Sequence, residues 1–242
     1  MAHSRDNTTR ILNGKLDWFA STLRVFVLAV GAAILSLSVT AGISAYQVYQ
    51  AEQQVDTWFK AGSIAEPTQI DTVRNQLQQA DAQEQGDAKA KLSLAKLYIL
   101  LAEREEEPAY YNAARQMANA ASRLQPVHYE AYALLSEVDS QQGFSLFDSL
   151  VNLEKAVTLG GLEETVQPII GPIVVKKWPY LPEALKAASG PLIKSMLSEA
   201  GAREIIIAAM EENERAGPFT QFSPNKKTSA LLREMDARFS NT

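Results

Sequence analysis

Residues 88–126, AKAKLSLAKLYILLAEREEEPAYYNAARQMANAASRLQP, decide the fold. Alanine and leucine dominate the first half, and both are strong helix formers. A helix is expected over 88–107, with Glu103 to Glu107 as its solvated end. The second half carries Tyr111, Ala114 and Ala121, and Pro126 closes it. Small alanines let two helices of a hairpin approach closely. Tyr98 and Leu101 fill the space between them, and Tyr111 packs at the turn. The expected fold class is therefore all-α, with strand content close to nil.

The pattern then returns 34 residues later. Tyr98 becomes Tyr132, Leu101 becomes Leu135 and Ala102 becomes Ser136. The turn position Ala109 becomes Gly143, and one inserted residue aligns Leu153 and Ala156. These residues resemble the tetratricopeptide repeat, a helix–turn–helix unit of this period. The resemblance covers residues 95–161, with one good unit and one degraded one. Glu105 and Asp139 stand where the family has a tyrosine on the first helix, and Ala118 stands where it has a large residue. A helical hairpin domain without true repeats is the alternative. Two units are too few to bury a core alone, so flanking helices must cap them.

The resemblance implies a groove lined by the exposed face of each first helix. By spacing, those positions are Lys96, Ile99, Glu103 and Glu106, then Glu130, Ala133, Glu137 and Gln141. Members of the family that clamp a peptide carboxylate use lysine and asparagine there, and only Lys96 fits. A mainly acidic groove points instead to a basic or mixed segment. The alternative is a face that serves solubility alone.

Working toward the N-terminus, residues 68–85 read as a helix with Ile70, Val73, Leu77 and Ala80 on one face, ended at Gly86-Asp87. Gly62 to Pro67 is a break, and residues 47–60 form a helical stalk. Before the stalk, no residue from Val25 to Ala51 is charged. The apolar heart, 25–46, spans about 33 Å as a helix, enough for a bilayer core of about 30 Å. A buried core helix seldom runs so long without a charge. A cleaved signal peptide has a shorter apolar region and a better processing site than Ser44-Ala45-Tyr46.

Arg5, Arg10, Lys15 and Arg24 precede the span, against Lys60 alone in the first twenty residues after Tyr46. That asymmetry keeps the tail 1–24 cytoplasmic and exports the remainder, to the periplasm in a bacterium. Ile11, Leu12, Leu16, Phe19 and Leu23 recur at helical spacing, as in a segment lying on the membrane surface; an irregular tail is the alternative. Within the span, pairs such as Ala29/Ala33 and Ser38/Gly42 would allow a homo-oligomer through the transmembrane helix.

Beyond the hairpins, residues 162–242 are punctuated by proline, with Gly-Pro at 171–172, 190–191 and 217–218. Short helices are expected at 182–200 (kinked or split at Gly190-Pro191), 202–215 and 227–239, after an interrupted helix at 162–177. Ile205, Ile206, Ala209 and Met210 mark one buried face, and Leu231, Leu232, Met235 and Phe239 another. Trp178 and Tyr180, amid lysines and prolines, form a candidate docking patch, with core packing of Trp178 as the alternative. The division is thus 1–24 tail, 25–46 span, 47–94 stalk and capping helices, 95–161 repeats, and 162–242 C-terminal region.

The chain has 242 residues, 46% of them hydrophobic and 21% charged, and a net charge of −5. With 23 cations and 28 acids in all, the part after the span is the acidic one, a poor nucleic-acid binder. The absence of cysteine removes disulfides, thiolate metal sites and cysteine nucleophiles. No phosphate-binding loop, dinucleotide fingerprint, zinc-protease motif or nucleophile elbow occurs, so no cofactor or metal is expected. His3 lies in the tail, and His128 sits beside the repeat junction. Glu163/Glu164, Glu211/Glu212 and Glu103 to Glu107 are paired acids of the kind a glycosidase needs, but solvated helix surface is the plainer reading.

The expectation is a non-enzymatic, inner-membrane-anchored periplasmic scaffold that binds other envelope proteins. In layout alone it resembles the anchored accessory proteins of Vibrio-type exopolysaccharide clusters. A glycan-acting hydrolase using two carboxylates and a self-assembling structural membrane protein are the alternatives.

Overall fold

The computed structural model describes residues 30–31, 35, 38–39, 42, 45–64, 67–83, 88–142 and 146–240. The chain divides into two compact units, Met1–Gln50 and Ala51–Thr242. The expected tail 1–24 lies outside the described residues, as do Gly86-Asp87 and Gly143, and the expected span 25–46 lies largely outside them. In the first unit every described residue is helical, and Val30, Leu35 and Val39 are exposed. Among the described residues, no helix is long and apolar enough to cross a membrane.

The second unit is all-α, with no strand among the described residues. Helix α1 covers 51–61, followed by α2 (Pro67–Gln83), α3 (Ala88–Glu105), α4 (Pro108–Leu124), α5 (Tyr129–Gln142) and α6 (Leu146–Gly160). Then come α7 (Gln167–Lys177), a 3-10 turn at Trp178–Tyr180, α8 (Glu183–Ser198), α9 (Ala200–Glu212), a second 3-10 turn at Gly217–Phe222, and α10 (Lys226–Phe239).

Helix α3 holds the domain together because it is apolar on two sides. Leu94, Leu97, Leu100 and Leu101 pack against Val55 and Trp58 of α1 and Ile70, Val73 and Leu77 of α2. Ala88, Leu92, Ala95 and Ile99 belong to the larger core shared with α4 to α10. In α4, Ala114, Ala118 and Ala121 are fully buried, and their small size seats α4 closely between its neighbours α3 and α5. Pro108 opens α4, where its missing N–H costs nothing. Of the residues expected to fill the hairpins, Leu101, Ala102, Tyr132, Leu135, Ser136, Leu153 and Ala156 are buried, while Tyr98 and Tyr111 are partly buried against the core.

In the C-terminal region the helices expected at 182–200, 202–215 and 227–239 are present as α8, α9 and α10. Helix α8 is neither split nor ended at Gly190-Pro191, and α7 likewise contains Pro172. A proline frees the carbonyl four residues before it. Here those carbonyls belong to Ala187 and Pro168, both exposed residues, so water can satisfy them. The paired glycines allow close packing instead. A Cβ on Gly190 would come 2.8 Å from the Phe222 ring, and one on Gly171 would overlap the Met196 thioether.

Two expected faces also shift. Ile206 and Met210 are buried as expected, but Ile205 is 38% exposed. Leu232 and Met235 are buried, whereas Leu231 is also exposed.

Candidate functional site

A cavity of about 590 Å³ opens in the second unit. Phe59, Lys60 and Gly62 form one wall at the end of α1, and Ile99, Leu100 and Glu103 of α3 with Glu137 of α5 form a second. The third comes from Glu164 and Thr165 of the turn before α7, from Pro168, Ile169 and Pro172 of α7, and from Glu199, Ala202 and Ile205 around the start of α9. Gly62 closes the α1 wall because the chain turns there at a φ of +58°, a conformation that favours glycine. The size is ordinary for a ligand pocket, and the wall is apolar with a few charged groups.

Glu103 and Glu137 stand 34 residues apart in sequence and share the cavity. Burial pushes the Glu103 carboxyl above the usual carboxylate range, and the Glu137 charge pushes it further. Burial also raises Glu137, against the opposing pull of a hydrogen bond from Gln141 Nε2 (2.8 Å) and of the Lys176 charge. The nearby Tyr111 hydroxyl is raised by burial and by both acids. Among the described residues, no three carboxylate or imidazole groups are placed to hold a metal ion.

No protein family matches the chain, nor does any curated protein or any solved structure.

The eight expected groove positions separate into three sets. Ile99, Glu103 and Glu137 line the cavity, and Gln141 is tied to Glu137. Glu106 sits exposed in the α3–α4 turn with a φ of +54°, away from the cavity lining. Lys96, Glu130 and Ala133 face inward. Lys96 Nζ lies 2.6 Å from Asp56 and 2.5 Å from Glu130, and its side chain is only 9% exposed. The expected groove lysine is thus an internal tie joining α1, α3 and α5. Asp56 of α1 reaches it there, so this position does not line the cavity.

The expected docking patch also separates. Trp178 is buried, with its ring edge-on to Phe219 (4.7 Å between centroids) and Phe222 (6.0 Å). Tyr180 alone is exposed. Of the acid pairs, Glu164 reaches the cavity, while Glu211 and Glu212 lie on the exposed surface of α9. His128 packs against Tyr129 at the hairpin junction.

One arrangement resembles a nucleophile with its base: Lys177 Nζ lies 2.6 Å from Ser149 Oγ. Burial lowers the Lys177 pKa, and the Lys176 charge lowers it further. Ser149 is fully buried, however, so no substrate carbonyl could reach it. The contact anchors the end of α7 to α6.

The raised Glu137 pKa makes this acid a cost to the fold at neutral pH. The folded state binds its proton more tightly than the unfolded state does. Stability from this group is therefore present at acid pH and falls as pH rises from the ordinary carboxylate value toward the raised one. Glu137→Gln keeps the acceptor for Gln141 and removes the charge. We expect it to raise Tm at pH 7.5 by roughly 2–4 °C, the shift that about 1 kcal/mol gives a domain of this size. Calorimetry at pH 3.5 should show no gain.

Proposed function

We propose that this chain is a single-pass, inner-membrane-anchored adaptor of a bacterial envelope assembly, with residues 25–46 in the membrane, 1–24 cytoplasmic and the helical domain periplasmic. Its hairpins over 95–161 are tetratricopeptide-like, and they present the cavity to a protein partner. The uncharged stretch and its lopsided basic flank support the anchor. The exposed apolar side chains of Val30, Leu35 and Val39 suit lipid contact. The 34-residue register is supported by two pairs one period apart: Lys96 meets Glu130, and Glu103 feels Glu137.

The observation that carries the adaptor reading is the cavity. It joins the hairpins to sequence-distant helices, and two of its acids, Glu103 and Glu137, have raised pKa values. Groups kept in costly states mark binding sites more often than plain surface. A role in exopolysaccharide synthesis or export fits this layout and is part of the proposal.

The test is photocrosslinking in cells. A photoreactive residue at Ile205 should give discrete adducts with envelope proteins, and one at Lys194, on exposed surface, should not. Protease added to spheroplasts should cut the domain. Identical adduct patterns from both positions would remove the cavity as the partner seat, and a protected domain would reverse the topology.

A second reading has one observation in its favour. Two carboxylates in one cavity, with raised pKa values, meet the first requirement of a glycan hydrolase. On that reading either Glu103→Gln or Glu137→Gln abolishes release of reducing ends from envelope polysaccharide. On the adaptor reading there is no such activity to lose.

A further inference from the structure

We propose that the cavity seats a basic, amphipathic polypeptide segment, with an arginine or lysine between Glu103 and Glu137 and an adjoining aliphatic side chain against Ile169, Ala202 and Ile205. This rests on the adaptor reading and names the chemistry of its partner.

Charge complementarity chooses the occupant. Among the described residues, four carboxylates line the cavity, those of Glu103, Glu137, Glu164 and Glu199, against one cation, Lys60. Lys176 stands beside Glu137 without neutralising it. An anionic ligand would meet net repulsion. A cation between Glu103 and Glu137 would relieve their mutual repulsion, and guanidinium does so with directed hydrogen bonds. A hydrated metal ion is a poor match because, among the described residues, the acids are not grouped to ligate one. It would also leave the apolar wall wet.

That wall supplies the second half of the recognition. Ile205 is exposed on a helix whose next residue is fully buried, and it faces the cavity beside Ala202 and Ile169. Covering such a surface gains about 25 cal/mol per Å² of apolar area. A segment that pairs a cation with an aliphatic neighbour uses both features. Hydrophobic stems on arginine and lysine allow the two contacts to lie close together.

The test uses the full chain in detergent and fluorescence anisotropy of three labelled hexapeptides. These alternate leucine with arginine, glutamine or glutamate. The leucine–arginine peptide should bind at least tenfold more tightly than the leucine–glutamine one, and the leucine–glutamate peptide should not bind. Glu103→Gln/Glu137→Gln should erase that preference, whereas Glu211→Gln/Glu212→Gln, on exposed surface, should leave it intact. Ala202→Trp, which places a bulky ring in the cavity wall, should abolish binding of both neutral and basic peptides.

An unchanged preference in the cavity double variant, or an equal loss in the surface one, overturns the proposal. If only Ala202→Trp abolishes binding, the cavity remains the seat and the cationic assignment fails. If no variant alters binding, the adaptor reading of this cavity fails too. Full displacement of the arginine peptide by micromolar spermidine would make the occupant a small polyamine and also overturn the proposal.

Discussion

Trp178→Ala is expected to destabilise the protein by about 3–5 kcal/mol, the cost of truncating a large buried aromatic. Its ring lies 4.7 Å from the Phe219 ring, at 64°, and Phe219 is fully buried. Phe222 approaches from another side at 74°. Edge-to-face pairs add to the energy of burial. Truncation removes the ring that both Phe219 and Phe222 pack against. Trp178→Phe keeps part of the contact and should cost less than half as much. Tyr180→Ala, two residues on and 65% exposed, should stay within about 0.5 kcal/mol. Urea unfolding followed by circular dichroism separates the cases: a lower midpoint at constant slope is a stability change. An unshifted midpoint for Trp178→Ala would return Trp178 to the role of a surface docking residue.

The same tryptophan shows where sequence reading stops. Trp and Tyr amid lysines and prolines look alike on the page, because local spacing does not say which ring another segment covers. Phe219 and Phe222 supply the cover from about forty residues away. By contrast, the hairpins were legible. Ala114 and Ala121 recur on one face, and only small residues let helices approach so closely. Two pairs of residues 34 apart interact, Lys96 with Glu130 and Glu103 with Glu137, a spacing the proposed repeat would produce.

The prolines alone could not decide between a kinked and a split α8, because a breaker's effect depends on what satisfies the freed carbonyl, and in α7 and α8 water can do so. The cavity was only half legible. Ile99, Glu103 and Glu137 were among the spacing-derived groove positions, but Phe59, Pro168, Pro172 and Ala202 arrive from elements with no shared pattern. The exposure of Ile205 was the missing signal. An isoleucine pair reads as a buried face, yet adjacent helical residues point about 100° apart, so one of the two can face out.

Lys96→Ala should cost about 3–5 kcal/mol, the scale for breaking a buried ion pair by removing one partner. The lysine is held between Asp56 at 2.6 Å and Glu130 at 2.5 Å. Glu130 has a side chain only 14% exposed and would keep a charge that water reaches poorly. Asp56, at 35%, can rehydrate and should contribute less. Lys96→Ala/Glu130→Gln should therefore recover much of the loss, and a double-mutant cycle measures how much.

The pH dependence offers a separate check. Burial by itself would lower the Lys96 pKa, but the Glu130 and Asp56 carboxylates outweigh it and raise the value. The ammonium's contribution is thus complete below lysine's ordinary range and is lost as pH rises through the higher folded value. Wild-type stability should fall steeply in that alkaline window, and the variant's curve should lack that fall.

The consequence extends to the cavity. Lys96 fixes α1 against α3 and α5, and the end of α1 supplies Phe59 and Lys60 to the cavity wall. Phe59 also packs against both parts of the core, with its ring 6.0 Å from the Lys96 ammonium. Loosening α1 should then weaken peptide binding even under conditions where the variant remains folded. Binding that survives while stability falls would show that the tie serves the fold alone.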